Sequence, residues 1–155
     1  MTKILVTELE RLLNGGGAHV GFNEVIKHIP FESLGERPHG LPYSIWQLVE
    51  HIRIAQWDML EFSKNGQHES PKWPDEYWPN ELAPSTEAQW KESLELINAD
   101  LKSFIELVGK VDLYEPIPYG SGQTVLREAL QIADHTAYHL AEIVVLCRLL
   151  GIWKT

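Results

Sequence analysis

Ile132-Ala-Asp-His-Thr-Ala-Tyr-His-Leu-Ala-Glu-Ile143 decides how the rest of the chain is read. Its two histidines, His135 and His139, stand four residues apart, which places them one turn apart on one face of a helix. Ile132 and Ile143 fall beside them, so the imidazoles share that face with aliphatic side chains. Burying two imidazoles in apolar surroundings is costly unless their polar atoms find partners. Metal coordination satisfies both, provided each ring is neutral. The plain alternative is a pair of hydrogen-bonded core or surface histidines, and spacing alone does not separate the two.

Working outward, the helix around this stretch is predicted to open at Thr124, a suitable N-cap, and to run to about Leu150, with Gly151 as its stop. Leu126, Leu130, Ala133, Ala137 and Val144 mark one apolar face, and Ile132, Ile143, Leu146 and Leu150 mark the other. A helix apolar on two sides is central or lies at a subunit interface, and a homodimer is the expectation favoured here. Three further helices are predicted. The first covers roughly 3–28 through Leu5, Leu9, Leu12 and Leu13, then Ala18, Phe22, Val25, Ile26 and Ile29. Gly15-Gly16-Gly17 interrupts it, and because each glycine costs about 0.5–1 kcal/mol inside a helix, a kink, a break or a close backbone approach is expected there. The second runs about 43–63 through Ile45, Leu48, Val49, Ile52, Ala55, Met59 and Phe62. The third opens at Ser85-Thr86, where Thr86 with Gln89 fits a capping box. It continues through Trp90, Leu94, Ile97, Leu101, Phe104, Ile105 and Val108, and ends at Gly109.

Residues 30–42 and 110–123 are connectors rich in proline and glycine. The 64–84 linker is longer than most structureless loops, which marks it as functional or disordered. Its Trp73, Tyr77 and Trp78 favour order. Four long helices with long connections predict an all-α four-helix bundle forming one domain over 1–155.

Bulk properties narrow the function. The 155 residues suffice for one sizeable core, and 44% of them are hydrophobic. A net charge of -9 argues against wrapping nucleic acid or adhering to anionic lipid. Cys147 stands alone, so no internal disulfide forms, and its place beside Leu146 predicts an inert core thiol. The N-terminus turns acidic too soon for a signal peptide, and no apolar run is long enough to cross a bilayer. A soluble cytoplasmic protein is therefore expected. Familiar catalytic motifs are missing. The only Glu-x-x-His, Glu36 to His39, has Pro38 inside it. Gly15-Gly16-Gly17 lacks the Lys-Ser/Thr of a phosphate loop, and there is no His-Glu-x-x-His or Gly-x-Ser-x-Gly.

A third imidazole is available in His51, on the second predicted helix, at the edge of its apolar stripe about 60° from Leu48. Three imidazoles from facing helices would hold a metal and leave positions open for water or substrate, the pattern of a catalytic site. Glu50, Asp134 and Glu142 are either hydrogen-bond acceptors for these rings or solvated helix-face charges. Trp46, Trp57, Trp73 and Trp78 either line a pocket or fill the core. His19, His28 and His68 have no matching partner and are read as solvated or capping.

Two stretches resemble a known family: Arg37-Pro-His-Gly-Leu-Pro-Tyr-Ser-Ile-Trp-Gln-Leu-Val-Glu-His51 and Leu130-Gln-Ile-Ala-Asp-His-Thr-Ala-Tyr-His139. One histidine early in the second helix, then His-x-x-x-His in the last, is similar to the DinB-like (DinB/YfiT) superfamily of bacterial four-helix metalloproteins. The resemblance covers nearly the whole chain. It implies a divalent metal, typically zinc or nickel, at His51, His135 and His139. Characterised relatives include bacillithiol-dependent thiol S-transferases and a mycothiol-dependent isomerase. The resemblance thus implies a metal-dependent transferase or hydrolase acting on a low-molecular-weight thiol and a small electrophile. The alternative is a non-catalytic metal- or ligand-binding stress-response protein. Catalytic residues beyond the metal ligands are not identified.

Overall fold

Ser44 starts the helix around which the others are arranged. The structure, a computed structural model, describes residues 3–153, and the regular elements among those residues are helices, with no strand. The five α-helices are α1 (Lys3–Asn14), α2 (Phe22–Ile26), α3 (Ile45–Lys64), α4 (Glu87–Val108) and α5 (Val125–Leu149). At the start of α3, Ser44 Oγ accepts from the Gln47 amide while Gln47 Oε1 accepts from the Ser44 amide. This reciprocal cap satisfies two donors that a helix end otherwise strands.

The other helix ends follow their residues. Thr124 caps α5 through the Arg127 amide, and Gly151, with φ 71°, ends it. Thr86 caps α4 through the Gln89 amide, as its sequence predicts. The return bond differs: Gln89 Oε1 accepts from Ser85 rather than Thr86, so the box is displaced by one residue. The single helix expected over 3–28 is broken. Gly15 and Gly16 take φ 68° and 78°, a left-handed conformation that other residues adopt only with strain. The chain leaves the helix there and resumes as α2.

α1 and α3 each pack against both α4 and α5. The core forms two clusters. Ile45, Trp46, Leu48, Ile97, Leu140 and Ile143 belong to one, and Leu9, Leu60, Phe104, Val108, Val125 and Ile132 to the other. Each fully buried aliphatic or aromatic side chain contributes about 1.5–3 kcal/mol. On α5 the second cluster reaches Ile132 and the first resumes at Leu140, so His135 and His139 fall in the gap between them. Leu12 and Leu130, expected within apolar stripes, stay about half exposed at 50% and 47%. No described helix is long and apolar enough to cross a membrane.

The linker after α3 is ordered. Ser44 Oγ donates to the Leu82 carbonyl at 2.6 Å, and Gln47 Nε2 donates to the Pro79 carbonyl at 3.2 Å. A short 3-10 turn at Asp75–Tyr77 then lies across α3.

Candidate metal centre

Helix α3 presents His51, and α5 presents His135 and His139 one turn apart. Their ring centroids are 4.7, 4.6 and 4.6 Å apart in the three pairings, a near-equilateral triangle. One ring nitrogen from each lies within 4.8 Å of the others. His51, read from its sequence as a stripe-edge residue, is 1% exposed. His139 is also buried and His135 partly so.

The outer nitrogens fix the inner ones. His51 Nδ1 lies 2.9 Å from the Tyr77 carbonyl oxygen. A carbonyl only accepts, so Nδ1 carries the proton and Nε2 keeps a free lone pair. His139 Nδ1 lies 2.6 Å from Glu142 Oε2, which leaves its Nε2 free in the same way. His135 Nε2 stands 3.0 Å from His51 Nε2. Two nitrogens this close, one of them without a proton, need a shared proton or a cation to bridge them. The donor set therefore fits a divalent metal.

The electrostatics agree. Burial pushes the His51 pKa below its ordinary value, against the pull of the Tyr77 carbonyl. Burial, and then the neighbouring His139 and His51, push His135 down to about 4. Both rings are thus neutral at pH 7, the form that a metal needs.

Trp78 covers this trio. It stacks on His51 at 3.8 Å and on Tyr43 at 3.9 Å. Trp73 stands farther from His51, at 6.3 Å, and is largely exposed. Trp46 is in the core against Trp90, and Trp57 meets His68 edge-on, so neither lines the site. An apolar groove of about 360 Å³, bounded by Leu41, Tyr43, Tyr138 and Val145, opens beside Glu142.

Among the three candidate acceptors, only Glu142 bonds a histidine. Glu50 instead pairs with Arg53 through two 2.9 Å bonds and accepts from Ser93, and Asp134 is exposed. His68 is not solvated as its sequence position suggests. Its side chain is 7% exposed, with Nε2 2.7 Å from Asp58 Oδ1. The Tyr77 hydroxyl donates to the other Asp58 oxygen at 2.6 Å, and burial followed by that carboxylate raises the Tyr77 pKa well above the ordinary range. Asp58 thus ties down the segment whose carbonyl orients His51. The sequence signal was its position seven residues after His51, two turns along the same face. His19 and His28 are exposed as expected. Cys147 is buried, and burial pushes its thiol up to about 11, so it is inert as expected.

A sequence model of the DinB superfamily matches residues 20–143, a span that holds all three histidines. No curated protein and no solved structure matches the chain significantly.

Proposed function

The chain belongs to the DinB superfamily, and from that membership we propose a divalent-metal-dependent enzyme of thiol S-transferase or hydrolase type. Its ligands are His51, His135 and His139, and zinc or nickel is the proposed ion, since imidazole suits both. One observation carries the reading: the Nδ1 atoms of His51 and His139 are occupied by outside acceptors, while the Nε2 atoms of His51 and His135 meet at 3.0 Å. When bound, such an ion supplies the acidity that makes a thiol or a water a nucleophile at neutral pH.

The chain's own residues do the rest. The Tyr77 carbonyl and Glu142 hold two rings in the tautomer that leaves Nε2 free. Trp78 excludes water from one face of His51. The groove beside Glu142 has room for the apolar part of a small electrophile. A low-molecular-weight thiol is the proposed cosubstrate.

The test is metal content on protein purified without a nickel column. About one ion per chain is expected in the wild type and none in His139→Ala. Metal retained by the variant, or missing from the wild type, would overturn the ligand assignment. Metal-loaded protein that neither transfers thiols nor hydrolyses esters would instead be a non-catalytic binder.

A further inference from the structure

A cavity of about 650 Å³ opens where the chain leaves α1 at Gly15 and runs inward between α4 and α5. Its outer end carries exposed polar residues, among them Asn14, His19, Lys102 and Glu106. The buried residues of its wall are Leu13, Ile97, Leu140 and Gln56, so Gln56 is the one polar side chain at the inner end. This space is separate from the three histidines. Gln56 follows His51 by five residues, about 140° round α3, and Leu140 follows His139 by one, about 100° round α5.

Gln56 is 3% exposed, and its carboxamide is held at one end only. Nε2 donates to the Ile97 carbonyl at 2.7 Å, which fixes which way the amide points. Oε1 accepts from no group among the described residues. Among those residues Trp46 Nε1 is the one buried side-chain polar atom that is wholly enclosed without a partner. Gln56 Oε1 is therefore uncovered, and the space that Gln56 borders is this cavity. Buried side-chain amides normally have their polar atoms bonded. A water is a poor partner here, because it needs about two to four polar contacts and the other buried side chains at this end are aliphatic.

We propose that this cavity binds a neutral, mainly apolar small molecule of the phenol or indole type, whose single hydrogen-bond donor bonds Gln56 Oε1. The volume falls within the range of about 300–1,000 Å³ usual for small-molecule sites, which combine apolar walls with a few placed polar groups. Phe22, Leu101 and Ile105 continue the apolar wall outward from the inner end. The charged side chains Glu24, Lys102 and Glu106 are exposed, so an ionised group beside Gln56 would be buried without a counter-charge. The ligand's inner end is therefore uncharged. None of this requires the proposed metal-dependent activity.

Backbone amide spectra of the full chain, titrated with p-cresol and separately with p-methylanisole, test this. The cresol should shift the Gln56, Ile97 and Leu140 signals saturably. The anisole, similar in shape but without a donor, should bind about tenfold more weakly. Gln56→Leu, close in volume, should bring the cresol down to the anisole's affinity. Equal affinity for the two probes in the wild type, no shift at these residues, or an undiminished preference in folded Gln56→Leu would overturn the proposal. If that variant does not fold, the two probes on the wild type still decide it. Protein stripped of metal by chelation should behave the same, so failure of the metal assignment is read separately.

Discussion

At the scale of single residues, Glu142 and Glu50 make opposite commitments although both adjoin histidines in space or sequence. Glu142 touches His139 and is partly exposed. Glu142→Ala should weaken metal binding roughly 10–100-fold, the usual cost of losing a residue that orients a ligand, with little change in melting temperature. Glu50 is buried against Arg53 and Ser93. Glu50→Ala should leave metal affinity nearly unchanged and cost about 1–3 kcal/mol of stability, because two polar partners lose their acceptor. Chelator competition and thermal melts on both variants check the pair, and the reverse pattern would refute it. The distinction was within reach of the sequence. Neighbours in a helix do not face each other, whereas residues three apart do. That rule selects Glu142, three after His139, over Glu50 and Asp134, each adjacent to its histidine. The facing of His51 toward α5 was less legible, because it depends on how two distant helices pack.

At the scale of elements, caps and glycines were the readable signals. Thr86, Thr124 and Gly151 end their helices where their residue types predict. The glycine triplet forecast an interruption, but only the backbone shows which members require glycine. Gly16 has φ +78°, while Gly17 has ordinary φ and open space around its missing Cβ. Gly16→Ala should destabilise the fold by about 1–2 kcal/mol, whereas Gly17→Ala should be neutral or stabilising by up to about 1 kcal/mol. Denaturant midpoints separate them, and equal losses would contradict the assignment. The linker was the least legible element. Its order comes from bonds to α3 made by Tyr77 and by the Leu82 and Pro79 carbonyls, and such long-range partners leave no periodicity in a sequence.

At the scale of the whole molecule, Glu128 makes stability depend on pH. Burial raises its folded-state pKa above the ordinary 4.5, against the pull of Arg127. Between the two values the folded chain holds more protons than the unfolded one, so stability falls as pH rises through that window. The melting-temperature advantage of Glu128→Gln should therefore grow as pH is raised from the acidic range toward neutrality. An advantage that stays constant with pH would show that the carboxyl is not so perturbed. A fold that keeps such a side chain gives up stability there, a trade associated with functional sites.

The first turn of α3 has a consequence for the candidate site. Ser44 and Gln47 close that turn and, with the same two side chains, hold the Leu82 and Pro79 carbonyls. The segment carrying Tyr77 and Trp78 is thus tied at this end to the first turn of α3, beside the stacking of Trp78 on Tyr43. Because the Tyr77 carbonyl that orients His51 belongs to this tethered segment, the geometry of the candidate site depends on the first turn of α3 as well as on the histidines themselves.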